Sequence, residues 1–419
     1  MAGLDRITGG IGRALTERSF RRFTLGNGIA LIGYTMQRVA VAWLAWELTG
    51  SKSALGLLAF AELAPILFLA PLTGAIADRI NPFTQFRIAQ FLVLVHGVGL
   101  SILGFTGTIS IEWLVAFQAF IGFVTSFSAP ARMSLVSALV TTPNLSAAIA
   151  LNALVFNISL VAGPLLMKPL LAVGGAHWAF VVHAFGFAVF NLMLIGVHPK
   201  APERTAGARR GILRDVAAGM AYAARHATIG PLVALLVVTG LFARPILELL
   251  AAVSADMYGM AAEGFAVLSI AMGAGSVLGN LWLAHRGRLD GLAKIQSAVL
   301  LAMALSLAGL AVAPVFSVGV VFVAIVGMTL AANGIITQTL IQTTVDPALR
   351  GRVLSLFGMT VRGVPALGSL AAGIAADAFG LRAPVMVGAI VVLLAFAVFA
   401  LRSRAIQRQA ERAASESRP

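Results

Sequence analysis

The chain alternates between apolar stretches of roughly 18 or more residues and short polar links, and this alternation constrains it more than any motif. Twelve such stretches can be drawn. The first six are Phe23–Trp46, Ala54–Ala77, Ile88–Phe105, Ile109–Phe127, Leu145–Val173 and Trp178–Val197. The second six are Leu232–Val253, Phe265–Ala284, Ile295–Val312, Phe316–Ile336, Val353–Ala376 and Ala383–Leu401. At ~1.5 Å per residue, each crosses a ~30 Å hydrocarbon layer as a helix. Backbone polar groups in lipid must be satisfied internally, so the expected fold is an all-α polytopic membrane protein.

Composition agrees. Hydrophobic residues make up 59% of the 419 and charged residues 11%, against about 25% charged in a soluble domain. A net charge of +14 would suggest nucleic acid in a soluble chain. Here the charge lies in the links, where it sets topology instead. No cysteine is present, which removes disulfides, thiolate catalysis and cysteine-held metal. There is also no HExxH, no GxSxG and no metal cluster, so neither an enzyme nor a cofactor is expected.

Orientation follows from the basic residues. With a cytoplasmic N-terminus, 24 of the 30 Lys and Arg fall in tails and even-numbered links; two, Lys52 and Arg382, fall in the opposite links. The remaining four lie within spans. The positive-inside rule then puts both termini in the cytoplasm. The start of the chain lacks the short apolar core of a signal peptide and reads as a basic leader.

The long polar stretch Pro199–Arg210 divides the chain. The expected parts are a leader (1–22), a six-helix bundle (23–197), a linker (198–228), a second bundle (229–402) and a tail (403–419). In the linker, Ile212, Leu213, Val216, Met220 and Ala224 share one helical face. Arg209, Arg210, Arg214 and Arg225 supply the other, as in a helix lying on an anionic membrane surface. The halves echo each other: Arg38 and Asp78-Arg79 are matched 206 and 207 positions later by Arg244 and His285-Arg286. Two related halves of six helices suggest a transporter that rocks about a central site.

At GAIADR, Gly74 to Arg79, the chain resembles the major facilitator superfamily, and the resemblance extends over about residues 20–402. The basic residues that usually follow that motif are replaced by Asn81-Pro82-Phe83-Thr84. Four further stretches resemble the drug and siderophore exporter branch: Met36–Ser51, Pro130–Val140, Ala148–Asn157 and Arg350–Met359. Gly163-Pro164 resembles the antiporter motif of the fifth helix, without its later glycines. The resemblance implies two pseudo-symmetric six-helix bundles and alternating access. It also makes Asp78, with Gly74 and Arg79, a cytoplasmic gate lock against helix 11.

Ionisable groups inside spans cost roughly 2.5–3.5 kcal/mol each even on a lenient scale, so each needs a reason. Arg38, Lys168, Arg244 and Arg362 stand against Glu62 and Glu248. In the superfamily, helices 1 and 7 line the cavity, which makes Tyr34, Gln37, Arg38, Arg244 and Glu248 candidate substrate contacts. Lys168, Asn152 and Asn333 join them. Each has a structural alternative: Arg38 pairs with Glu62, Arg244 neutralises Glu248 four residues on, and the asparagines bridge helices. Proton coupling needs a carboxylate whose protonation changes with access, and Glu62 and Glu248 are the candidates. Gly275 and Gly279 in GAGSVLG lie inside an apolar span with no preceding strand, so they read as a helix-packing face rather than a nucleotide loop.

The expected function is proton-coupled export of a small organic molecule, siderophore-like or drug-like, from a bacterial-type inner membrane. Its partners would be substrate, protons and the bilayer, with no nucleic acid. Nothing sets the oligomeric state, and a monomer suffices. Uptake or lipid movement by the same fold, and a membrane sensor or scaffold, are the competing readings.

Overall fold

The computed structural model describes residues 12–77, 80–173, 175–199, 220–286, 291–346 and 349–416. They form long helices, with no strand among them. The first half contributes α1 (Arg18–Thr49), α2 (Lys52–Ala77), α3 (Pro82–Thr106), α4 (Ile111–Leu139), α5 (Leu145–Val173) and α6 (His177–Ile195). The second contributes α7 (Ile229–Phe242), α8 (Ala262–Arg286), α9 (Leu292–Val312), α10 (Phe316–Thr344), α11 (Arg350–Phe379) and α12 (Arg382–Glu416). Among the described residues, eleven helices are long and apolar enough to cross a membrane. The 26-residue α2 is the remaining expected segment.

Several boundaries differ from those that hydropathy draws. α3 begins at Pro82 rather than Ile88 because Asn81 caps it: Phe83 and Thr84 donate their amides to Asn81 Oδ1 at 2.9 and 3.4 Å, and Pro82 occupies the first turn. The polar Gln85 is then buried, donating to the Phe127 carbonyl at 2.6 Å. α3 ends at Gly107, whose φ of 68° supplies the left-handed turn. α4 runs on to Leu139, and α12 continues past Leu401 to Glu416. Of the amphipathic linker, residues 211–219 lie outside the described residues. In the helical turn from Met220 to Arg225, Met220 and Ala224 are exposed while Ala223 is buried.

The helices group into two compact units, Met1–Leu44 with Phe68–Arg209, and Ala45–Leu67 with Arg210–Pro419. The C-terminal end of α1 and most of α2 thus belong with the second-half helices. In the first unit an aromatic triad ties α1, α3 and α6: Phe23, Phe86 and Phe190 have ring centroids 5.7–6.1 Å apart. His96 of α3 and His183 of α6 are fully buried, their ring centroids 5.6 Å apart edge to face, and act as aromatic packing.

In the second unit α8 packs closely on α10. A methyl group added at Gly279 would lie 2.6 Å from the Met328 carbonyl, and Gly275 lies against the Ala324 carbonyl. These glycines are a packing face, as their setting in an apolar span indicates. α7 starts from a cap made by His226, whose Nδ1 accepts the Thr228 and Ile229 amides at 3.2 and 3.3 Å. The extended α12 turns a side chain back onto α9: Gln407 Oε1 accepts the Ala293 amide at 3.0 Å. That amide lies in the first turn of α9, where no intrahelical acceptor exists.

Candidate functional site

In the first unit the candidate residues gather where α1 meets α5. The Thr35 hydroxyl donates to the Ser159 carbonyl at 2.7 Å, and Gly163 faces the same hydroxyl. A methyl group at Gly163 would lie 2.9 Å from the Met36 amide nitrogen, so only glycine permits this approach. Pro164, next in α5, is buried and cannot donate to the Leu160 carbonyl one turn earlier. Tyr34 and Arg38, one turn apart on α1, are half-buried, the Tyr34 ring 6.3 Å from that of His183. Between them Gln37 is 1% exposed, and neither its amide oxygen nor its nitrogen has a hydrogen-bond partner among the described residues. Leaving both unmet costs ~1–3 kcal/mol each, a cost that a polar ligand or water would relieve. Asn152 lies lower on α5, its Oδ1 3.5 Å from Asn27 Nδ2.

In the second unit α7 is broken at the candidate residues. The α-helix stops at Phe242, a 3₁₀ turn covers Arg244–Leu247, and after one short helical turn a π-turn covers Val253–Met257. Pro245 explains the first break, since it cannot donate to the Leu241 carbonyl. That carbonyl faces Gly368 of α11, and the Phe242 carbonyl faces Gly388 of α12. Arg244 and Glu248 flank the break and are half-buried. Discontinuous membrane helices expose backbone dipoles and charged side chains to a ligand rather than to lipid.

Asn333 has a different setting. It is 3% exposed, accepts from Gln296 Nε2 at 2.5 Å and donates to Thr239 Oγ1 at 3.2 Å. Those bonds tie α9, α10 and α7 together. Glu62 is half-buried in the part of α2 that belongs to the second unit. Lys168 lies in α5, but its side chain is outside the described residues, as are Asp78 and Arg79 altogether. Gly74 lies in the last turn of α2. Among the described residues, no group of three or more His, Asp or Glu could hold a metal.

The polar cluster that hydropathy passes over lies at the start of α2. The Asp377 carboxylate, at the end of α11, accepts from Ser51 Oγ (2.8 Å), the Lys52 amide (2.9 Å), the Ser53 amide (2.8 Å) and Ser53 Oγ. Lys52 Nζ lies 2.6 Å from Asp256 Oδ2, beyond the break in α7, and 6.0 Å from the Trp46 ring. The sequence holds a signal for this. Gly373-Ile-Ala-Ala-Asp377 closes α11 with nearly the same five residues, Gly74-Ala-Ile-Ala-Asp78, that close α2.

Comparison with known proteins agrees with this architecture. The family model for transmembrane secretion effectors matches residues 13–418. Macrolide efflux protein A of Streptococcus pyogenes is 24% identical over 364 residues, covering 85% of this chain and 89% of its own. Enterobactin exporter EntS of Shigella flexneri is 26% identical over 345 residues, covering 82% and 81%. Among solved structures, a bacterial homologue of the human lysosomal transporter Spinster superposes with a TM-score of 0.69 at 16% identity, over 96% of this chain and 98% of its own. The nucleoside transporter NupG gives 0.71 at 12% identity, over 91% and 98%. The structural likenesses show the fold alone: all-α, polytopic, of the major facilitator type. The protein is a multi-pass membrane transporter and not an enzyme. With nearly its whole length matched, the chain belongs to the transmembrane secretion effector family of the major facilitator superfamily.

Proposed function

We propose that the protein exports a small organic molecule carrying acidic or catecholate groups, driven by proton entry, through alternating access of its two halves. The observation that carries this reading is the surplus of bases within the spans, four against two acids. Two of them are half-buried: Arg38, in the first unit next to Gln37, which has no hydrogen-bond partner among the described residues, and Arg244, in the second unit at the break in α7. Arg38 and Arg244 would receive the anionic group, with Tyr34, Gln37 and Asn152 completing the contact and Lys168 adding a further base. The named relatives, a macrolide efflux protein and an enterobactin exporter, support export of a drug-like or siderophore-like cargo.

Glu62 is the first candidate for the coupled proton and Glu248 the second. Desolvation favours the neutral acid, and a neighbouring guanidinium favours the carboxylate, so arrival of an anionic substrate at the guanidinium would promote protonation. Close approach of α1 and α5 at Gly163-Pro164 supplies a pivot. Asp78, at the end of α2, would lock the cytoplasmic side against the positive end of α11. Both termini would be cytoplasmic and the membrane a bacterial inner membrane, on the asymmetry of basic residues.

The test is transport in proteoliposomes with an imposed proton gradient, comparing a catecholate anion with a cationic dye. Gradient-driven movement of the anion, lost in Arg38→Gln and in Glu62→Gln, supports the reading. Movement of the cation alone overturns the substrate class, and undiminished coupling in both Glu62→Gln and Glu248→Gln overturns the proton route.

A further inference from the structure

We propose that Asp377 is the latch of the gate on the side opposite the termini, holding that side shut by capping the start of α2 and letting go once in every transport cycle. The proposal rests on alternating access as the mode of transport, and the geometry of one carboxylate carries it.

An acid at the C-terminal end of a helix is badly placed for that helix. The last turn carries the negative end of the macrodipole, and Asp377 adds a negative charge to it within three residues of Gly380. Its location is favourable only through its partner. The first amides of α2 have no intrahelical acceptor, and the carboxylate takes two of them, Lys52 and Ser53, together with the hydroxyls of Ser51 and Ser53. Asp377 thus serves as the N-cap of another helix, where its charge meets a positive helix end. Bonds to an ionised acceptor are about twice as strong as neutral ones, yet every donor lies on one short turn. The whole set can be released in a single displacement.

The surrounding packing suits a contact that re-forms. α2 and α11 run antiparallel with small residues at the seam: a methyl group at Gly373 would lie 2.5 Å from the Lys52 carbonyl, and Gly56 faces the Ser369 carbonyl. At these two glycines the contact is backbone against backbone. The Lys52–Asp256 pair adds the far end of α7 to the same point. Asp256 is 43% exposed, so that pair is a minor contributor, and Asp377 dominates. The same Gly-x-x-x-Asp spacing recurs in the sequence from Gly74 to Asp78, of which Asp78 lies outside the described residues. Two acids of this kind, each suited to the first turn of the other's helix, would hold opposite sides shut in alternation.

Because the chain has no cysteine, introduced thiols are the only ones present. Gln37, buried at 1% exposure, serves as reporter: in Gln37→Cys, an impermeant maleimide added on the outer side reacts only when that side opens. Adding Asp377→Asn should raise the labelling rate about tenfold, the scale set by losing a charge-assisted cap. Should that variant fail to fold, Ser51→Ala with Ser53→Ala removes the two hydroxyl donors and should raise the rate about threefold. An unchanged rate in a folded variant overturns the latch. Separately, a disulfide between Ser53→Cys and Asp377→Cys should abolish labelling of Gln37→Cys, and reduction should restore it. Labelling that persists through the disulfide also overturns the proposal. The readout needs no substrate, so failure of every candidate cargo to move would count against the proposed export and leave this test standing.

Discussion

Thr35 of α1 and Ser159 of α5 are joined by a hydroxyl-to-carbonyl hydrogen bond of 2.7 Å, made possible because Gly163 presents no side chain to that hydroxyl. The bond and the glycine act together. Gly163→Leu should push α1 from α5 and lower stability by about 1–3 kcal/mol, with transport falling more than Thr35→Ala causes. Thr35→Ala should cost about 1 kcal/mol. Thermal unfolding in detergent alongside vesicle transport measures both.

Asn333 offers a clean separation of two roles. If it bridges helices, as its bonds to Gln296 and Thr239 indicate, Asn333→Ala should lower stability by about 1–3 kcal/mol by leaving buried amides unmet. Apparent substrate affinity should then change little. A large loss of affinity at unchanged thermal midpoint would place it in the cavity instead.

Pro245 should matter for activity more than for stability. Pro245→Ala supplies an amide for the Leu241 carbonyl and favours a continuous α7. The expected result is an unchanged or higher thermal midpoint, with transport reduced about tenfold because Arg244 and Glu248 turn with the straightened helix. Transport at the parental rate would dissociate the break from function.

His226 gives a pH prediction. Burial lowers its pKa from the ordinary 6.5, and its Nδ1 must be unprotonated to accept the amides that open α7. The folded protein therefore binds fewer protons there than the unfolded chain, and stability rises with pH. The contribution is complete above about 6.5 and is lost as pH falls below it toward the lowered folded value. His226→Gln should flatten that part of a pH–stability curve measured between pH 5 and 7.5, windows set by the ordinary histidine range of about 6.5.

Asp78→Asn tests the proposed cytoplasmic lock. Transport should slow while binding of the cargo persists; lost binding in a folded variant would contradict a gating role.

Among the described residues, hydropathy located each membrane-length helix because the cost of unpaired backbone in lipid leaves the chain little choice. It misjudged ends where polar residues are buried. Gln85 counts as surface by composition, yet its amide meets the Phe127 carbonyl inside the bundle, so α3 starts six residues before the expected Ile88. Charges within spans were legible as exceptional, whereas hydrogen bonds that bridge helices were not, because such pairing is set by neighbouring helices rather than by sequence spacing. Asn333 shows this: nothing along the chain points to Gln296 or Thr239. Asp377 was passed over for a related reason, since an acid at a span's end reads as solvated until the start of another helix is seen to end on it.

The return of Gln407 onto Ala293 has a consequence for biogenesis. Membrane proteins are made from the amino end, and α9 is threaded long before residue 407 is synthesised. Its first turn must wait for this acceptor until α12 has been inserted. Docking of α12 is therefore the step that supplies this acceptor, and Gln407→Ala should leave the first turn of α9 frayed for membrane proteases to find.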